Sequence, residues 1–258
     1  MFEINKRGDS VIYTFWSVNG GVGKTTLASN VALKTAIKYP EAKIALLDFN
    51  LFNPDIDLYM GIPNKDLKHM LDFFLKNEIN FENISKYMLE YKEQKNLKIL
   101  TGLYDINFFD KLNAEHFSLL LEYLKKMFDY IFIDIDSSLN IDATFISICN
   151  SDKLLIVGEP QYTTIRNINR YKQEVLQKMG IKNEDIEIIV NKYESFLISK
   201  SEFSHVFGNN IFYIQKSNLI KQSTNNGVPF VLSKNKKLRK TIETIESLIE
   251  KIIVGKED

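Results

Sequence analysis

The chain has 258 residues, 45% of them hydrophobic and 26% charged, and its 33 basic and 33 acidic residues give a net charge of zero. This balance argues against a strong overall attraction to DNA or acidic membranes, although a local basic patch stays open as an alternative. The single cysteine, Cys149, excludes an intrachain disulfide and fits a reducing, cytoplasmic location. The sequence predicts neither a transmembrane segment, because no apolar run reaches about 18 residues, nor a secretory leader.

A series of apolar segments has the length and composition of buried β-strands. In chain order they are 11–18, 43–49, 97–100, 130–135, 153–158, 186–191 and 211–214. Several are apolar throughout rather than alternating, which is typical of strands that are covered on both faces.

Helical periodicity fills the intervals between these strands. The predicted helices are 25–39, 116–128, 163–180 and 237–253. Gly180 is a typical helix stop, and a further helical insertion is predicted over 66–77, within the least regular part of the chain. Strands that alternate with helices predict an α/β fold with a doubly wound, mostly parallel sheet flanked by helices, in a single domain over 1–258.

The segment SVNGGVGKTT (17–26) joins the first predicted strand to the first predicted helix, which is the context of a phosphate-binding loop. Its glycines let successive backbone N–H groups point at phosphate oxygens, and the helix N-terminus adds partial positive charge. Lys24 can reach the β- and γ-phosphates, and the Thr25 hydroxyl can bind Mg²⁺. Val18 stands where the general motif has its first glycine. The candidate loop residues are Asn19, Gly20, Gly21, Val22, Gly23, Lys24, Thr25 and Thr26.

Two aspartates end predicted strands, at the edge where a parallel sheet binds its ligands. Asp134 ends the apolar run IFID, and Asp48 ends ALLD. Opposite Thr25, the carboxylate of Asp134 is suited to hold Mg²⁺ through water. A turn-capping or solvated strand-end carboxylate is the alternative for each.

The loop resembles the deviant Walker A motif, KGGxGK[ST], of the MinD/ParA superfamily, which are dimerising P-loop ATPases that position septa, chromosomes, plasmids, flagella or pili. Further segments resemble the family in the same order along the chain. They are 46–61, 130–139, 157–170, 188–193 and 214–231. The resemblance implies a P-loop NTPase fold of the MinD/ParA type that binds ATP and Mg²⁺.

The resemblance also implies roles for individual residues. Asp48 corresponds to the first aspartate of the family's DxD pair, which organises Mg²⁺ or the water near the γ-phosphate. Asn191, at the end of IIVN, corresponds to the asparagine that contacts adenine, and its amide can both donate and accept; a turn residue is the alternative. Pro229 falls in the nucleotide-binding tail. The implied catalytic residues are Lys24, Asp48 and Asp134, and the implied metal-binding residues are Thr25, Asp48 and Asp134.

Three positions depart from the family pattern. Asn19 replaces the lysine that crosses the dimer interface, and an amide brings no positive charge to the phosphates. Asn50 replaces the second aspartate of the DxD pair, and an amide cannot accept a proton from the attacking water. Asp136 stands where the family has proline, and the sequence does not show where its carboxylate points. We therefore predict ATP·Mg²⁺ binding with slow or negligible hydrolysis.

The resemblance implies an ATP-dependent homodimer that recruits a protein partner and positions a septum, a pilus or secretion apparatus, or flagellar machinery. Altered signature lysines occur in the CpaE/TadZ-like branch, although many of its members carry an N-terminal receiver-like domain, which these 258 residues are not expected to contain. An active metabolic P-loop enzyme is a further alternative, but no small-substrate pocket is recognisable in the sequence.

The basic run Lys234–Lys240 supports a different alternative, a ParA-type partition ATPase that binds nonspecific DNA. A solvated helix start explains the same run. The chain ends VGKED, which is acidic, so we expect the last helix to pack on the core rather than to anchor in a membrane. Association with a cell pole or a membrane is then expected through partners, with peripheral membrane contact as the open alternative.

Overall fold

The structure is a computed structural model. It describes residues 10–65, 67, 70, 73, 76, 78–92, 94–105, 107, 111–209 and 211–254. Most of the helical insertion predicted over 66–77 lies outside the described residues.

Eight strands in the described part of the chain form one sheet. The strands are β1 Val11–Trp16, β2 Ile44–Phe49, β3 Leu89–Tyr91, β4 Gln94–Leu100, β5 Tyr130–Ile135, β6 Lys153–Gly158, β7 Ile186–Tyr193 and β8 Ile211–Gln215. Their order is β3-β4-β2-β5-β1-β6-β7-β8, and the only antiparallel neighbours among them are β3 and β4. This order confirms the doubly wound, mostly parallel α/β fold, and the short β3 is a strand that the sequence pattern did not predict.

The helices lie between the strands along the chain. They are α1 Lys24–Lys38, α2 Ile56–Met60, α3 Phe81–Tyr87, α4 Ala114–Met127, α5 Asp142–Cys149, α6 Tyr162–Tyr171, α7 Lys200–Phe207, α8 Asn218–Asn225 and α9 Arg239–Val254. The helix predicted over 163–180 is shorter than expected, because α6 passes into a π-helical segment, Lys172–Leu176, before the chain turns at Gly180. The sequence pattern did not predict α2, α3, α5, α7 and α8, which are too short to show a clear helical period.

The sheet separates two apolar cores, one on each face. Alternate residues of β1 show this division, because Ile12 and Trp16 belong to one core and Tyr13 and Phe15 to the other. A strand buried on both faces needs apolar residues at every position, which explains the continuous apolar runs.

One face of α9 is buried, and its Ile245, Leu248 and Ile249 are fully inaccessible to solvent. The helix contacts α1 and β8. It therefore packs on the core, as expected from its sequence. Within the described residues, no helix combines the length and the apolar composition that crossing a membrane requires.

The sheet order determines where the candidate site residues meet. The strand β1 lies between β5 and β6. The connection that follows β1 leads to β2 on one side, whereas the chain later crosses from β5 to β6 on the other side. A crevice forms at such a switch point, outside the carboxyl ends of the strands, and parallel α/β proteins bind ligands there. The phosphate-loop segment follows β1 directly into this crevice.

Candidate functional site

The loop between β1 and α1 has the backbone of an anion-binding turn. Gly21 and Gly23 have φ angles of +73° and +95°, in the left-handed region that residues with a Cβ rarely adopt. A Cβ on Gly23 would lie 2.4 Å from Asn191 Nδ2, so close packing also requires glycine there. No side chain caps the start of α1 at Lys24, which leaves its first N–H groups to meet an anion.

The Lys24 ammonium lies at the floor of the site, and the residue is 8% exposed. Its Nζ donates to Ser17 Oγ at 3.0 Å and to Ser137 Oγ at 3.2 Å. Burial lowers the pKa of Lys24, and the nearby carboxylates of Asp134 and Asp136 oppose this shift. Two neutral hydroxyls therefore hold the ammonium in place without neutralising it, so its charge stays available to a phosphate.

The Thr25 hydroxyl donates to Asp134 Oδ2 at 2.5 Å. The other oxygen, Asp134 Oδ1, is buried and has no hydrogen-bond partner among the residues that the structure describes. Burial raises the pKa of Asp134 to about 7, although Lys24 and the Thr25 hydroxyl act in the opposite direction. A buried carboxylate with one unpartnered oxygen beside a threonine hydroxyl fits the hard oxygen ligation that Mg²⁺ prefers.

Asp48 lies directly beside Asp134, because the parallel register of β2 and β5 pairs these two residues. Its oxygens accept from the backbone N–H groups of Asn50, at 3.2 Å, and Ile56, at 3.0 Å. Burial and then the charge of Asp134 raise the pKa of Asp48 well above its usual value. Asp48 therefore orients the segment that follows β2, and its burial beside Asp134 opposes its ionisation until a cation binds.

A cleft of about 930 Å³ opens in front of this loop, which is large enough for a nucleoside triphosphate. Its lining residues include Gly21, Gly23, Lys24, Thr25, Asn191 and Phe230. Asp55 and Tyr59, from the segment after β2, also line it.

Asn191 contacts the phosphate loop directly. Its Nδ2 donates to the carbonyl oxygen of Val22 at 2.7 Å, and the residue is 8% exposed. It also lines the cleft, and the amide has a second N–H and an oxygen with which to meet a base. The adenine contact that the resemblance implies for Asn191 stays a prediction, and its contact with the loop was not foreseen.

The three departures from the family pattern occupy different places. Asn19 is exposed, and its backbone carbonyl accepts from the Ser17 hydroxyl at 2.6 Å. Asn50 and Asp136 both line the cleft, and the Oδ1 atom of Asp136 accepts from the backbone N–H of Ser138 at 2.9 Å. Pro229 directly precedes the lining residue Phe230, and its role also stays a prediction.

Several residues of this site were not predicted from the sequence. Ser137 holds Lys24, and Lys192 donates to the carbonyl of Gly21 at 2.8 Å. Ser137 closely follows the recognised Asp134, and Lys192 directly follows the recognised Asn191. Their position next to these strand-end motifs was the only sequence signal for them. Their hydrogen-bond partners lie 113 and 171 positions away along the chain, and no local sequence pattern predicts contacts at such separations.

The sequence is similar to those of known proteins. A family model described as an AAA domain matches residues 10–189. The septum site-determining protein MinD of Thermotoga maritima is 26% identical over 246 residues, which cover 92% of this chain and 86% of that protein.

Two solved structures share the fold. MinD of Pyrococcus horikoshii, complexed with Mg-ADP, superposes with a TM-score of 0.78 at 22% identity, over 96% of this chain and 98% of that chain. A ParA family ATPase from Chlorobium tepidum gives a TM-score of 0.77 at 20% identity, over 93% of this chain and 98% of that chain.

Proposed function

Since the chain belongs to the AAA domain family and is a P-loop ATPase of the MinD/ParA superfamily, we propose that it binds ATP and Mg²⁺ and acts as a nucleotide-gated, dimerising switch that positions a cellular apparatus. The relative from Thermotoga maritima determines the septum site, which supports the septum over a pilus, secretion or flagellar apparatus. The same proposal includes a protein partner that binds the ATP-bound state in preference to the nucleotide-free state.

One observation carries the binding part of the proposal. Beneath the loop, Thr25 donates to one oxygen of Asp134 while the other oxygen is buried without a described partner. Thr25 and Asp134 would hold Mg²⁺, with Asp48 beside them. When bound, Mg²⁺ neutralises charge on the β- and γ-phosphates. The Lys24 ammonium and the N-terminus of α1 supply the remaining positive charge.

The same site supports slow hydrolysis. Asn19 offers no charge to the phosphates, and Asn50, which lines the cleft, offers no proton-accepting carboxylate. Asp136 supplies a carboxylate in the cleft, but it brings negative rather than positive charge and does not compensate for Asn19. Loss of one group that stabilises the transition state typically lowers the rate by about 10²–10³.

Calorimetry and phosphate release on the purified protein test the two parts together. We expect saturable ATP·Mg²⁺ binding by the wild type and phosphate release that rises by about 10²-fold in an Asn19→Lys, Asn50→Asp double variant. Thr25→Val should weaken binding with Mg²⁺ about tenfold or more and leave binding in EDTA unchanged, because the hydroxyl acts through the metal.

Thr35→Val is the matched control, because Thr35 is buried on the same helix and its hydroxyl donates within that helix, to Val31 O at 2.8 Å. The absence of heat when ATP is added to folded protein would overturn the binding proposal. Equal turnover in the wild type and the double variant would overturn slow hydrolysis alone.

A further inference from the structure

The end of β7 carries two consecutive side chains that both contact the phosphate loop. Asn191 Nδ2 donates to Val22 O at 2.7 Å, and Lys192 Nζ donates to Gly21 O at 2.8 Å. Consecutive side chains of a regular strand point to opposite faces of the sheet. In a regular β7, the two side chains would therefore start on opposite faces of the sheet.

The backbone of β7 departs from regularity at this point. The register between β7 and β8 shifts between Val190 and Tyr193. Lys192 has a φ angle of +53°, which a residue with a Cβ rarely adopts. An irregularity of this kind re-aims side chains and is frequent next to active sites. This irregularity, which we call the break in β7, consists of the register shift and the positive φ of Lys192. It explains how Asn191 and Lys192 reach the same loop.

The two contacts hold consecutive carbonyl groups of the loop. The peptide group is planar and trans, so each carbonyl points opposite to the N–H of the next residue. With the carbonyls of Gly21 and Val22 drawn towards β7, the N–H groups of Val22 and Gly23 point away from β7. These are N–H groups of the turn that the phosphates would occupy.

We propose that Asn191 and Lys192 form an outer clamp that sets the orientation of the Val22 and Gly23 N–H groups for phosphate binding. This inference rests on the proposed nucleotide-binding function. It makes Lys192 a positioning residue that acts through the loop, and it gives Asn191 a role in addition to any contact with the base.

Glu159 completes the clamp from the neighbouring strand. Its Oε1 lies 2.5 Å from Lys192 Nζ, and it directly follows β6, the strand between β1 and β7. The side chains of Lys192 and Glu159 are 44% and 26% exposed, so the ion pair itself contributes little to stability. Its effect is to hold the ammonium against the carbonyl of Gly21.

A competing role for Lys192 gives a different pattern of affinities. If its ammonium moved to the γ-phosphate and replaced the charge that Asn19 lacks, ATP would depend on Lys192 much more than ADP. If Lys192 acts through the loop, ATP and ADP depend on it equally, because both carry the phosphates that the loop holds.

Calorimetric titration of ATP·Mg²⁺ and ADP·Mg²⁺ into the wild type and Lys192→Met distinguishes the two roles. We expect both affinities to fall about tenfold, or about 1.4 kcal/mol, with their ratio unchanged. A selective loss of ATP affinity, or no loss for either nucleotide, would overturn the clamp. Lys153→Met is the matched control, because Lys153 also bridges a carbonyl and a carboxylate, Glu184 O at 2.8 Å and Asp185 Oδ1 at 3.3 Å, at the opposite end of β6.

A second measurement does not need nucleotide. In the ligand-free protein, Lys192→Met should move the carbonyl ¹³C resonance of Gly21 and the amide ¹⁵N resonance of Val22, whereas Lys153→Met should move neither. Unchanged resonances in a folded Lys192→Met variant would refute the clamp. If the wild type bound no nucleotide, the proposed function would fail, and these resonances would still decide whether the clamp exists.

Discussion

At the scale of single residues, the site is dominated by buried carboxyl groups. The parallel register of β2 and β5 places Asp48 beside Asp134, and Asp136 follows within the same turn. Lys24 is the buried cation that faces them among the described residues. A ligand-free site of this kind opposes the ionisation of its own aspartates, and a bound cation removes that opposition.

This imbalance predicts the pH dependence of stability. The pKa of Asp134 is about 7 in the folded protein and about 4 in an unfolded chain. Between these values the unfolded chain loses its proton while the folded protein keeps it, so stability falls as the pH rises from about 4 and the loss is complete above about 7. Asp134→Asn removes this contribution to the pH dependence, whereas the ionisation of Asp48 still contributes in the same direction.

Urea denaturation in EDTA, without nucleotide, at pH 4.5 and pH 8 measures the effect. The stability of Asp134→Asn relative to the wild type should increase between the two pH values by a few kcal/mol, with about 4 kcal/mol as the upper bound. Parallel pH profiles for the two proteins would show that Asp134 ionises normally. ATP and Mg²⁺ should reduce the difference, because only the wild type binds them well.

At the scale of elements, the segment after β2 and the tail after α8 meet through two glycines. Gly61 ends α2 with φ +60°, and Gly227 follows α8 with φ +61°. A Cβ on Gly61 would lie 2.4 Å from Gly227 O, so the two backbones are in direct contact. The contact joins the segment that Asp48 orients to the tail that carries Phe230 into the cleft.

We therefore expect Gly61→Ala to destabilise the protein and to weaken nucleotide binding as well. The left-handed backbone costs alanine about 1 kcal/mol, and the overlap with Gly227 adds about 1–3 kcal/mol. Gly180→Ala is the matched control, because Gly180 has φ +84° but a Cβ there meets no atom within 4 Å. Chemical denaturation of both variants checks the prediction, and equal losses of stability would contradict it.

At the scale of the whole molecule, the net charge of zero gives no overall attraction to DNA. Nonspecific DNA binding would therefore depend on the basic run Lys234–Lys240. The basic side chains of this run are exposed, and Arg239 pairs with Glu243 at 2.9 Å. These features fit a solvated helix start as well as a DNA contact. Salt-sensitive, ATP-dependent retention on random DNA that is lost on changing Lys236 and Lys237 would favour the partition ATPase.

The proposed switch predicts a change of mass with nucleotide. The chain of 30.0 kDa should sediment as a monomer without nucleotide and at twice that mass with ATP and Mg²⁺. Slow hydrolysis should keep the dimer intact for the length of a sedimentation run. Lys24→Ala should stay monomeric with ATP, and a mass that does not respond to ATP in the wild type would contradict nucleotide-gated dimerisation.

The sequence by itself determined the fold class and the phosphate loop. Continuous apolar runs predicted strands covered on both faces, and the glycine spacing before Lys24 predicted the phosphate-binding loop. Both predictions were possible because each signal lies within one short segment of the chain. Strand-end positions also identified Asp48 and Asp134 as candidates. The short helices α2, α5 and α8 were not predicted, because they contain too few turns to show a period.

Only the tertiary structure decided which side chains meet. The register of β2 with β5 put Asp48 next to Asp134, the turn after β5 brought Ser137 to Lys24, and the break in β7 brought Lys192 to the loop. These contacts join residues far apart in the chain, and they depend on sheet order, strand register and one irregular backbone angle. Local sequence patterns determine whether a segment forms a helix or a strand. The packing of all segments together determines where the side chains at the end of each strand point.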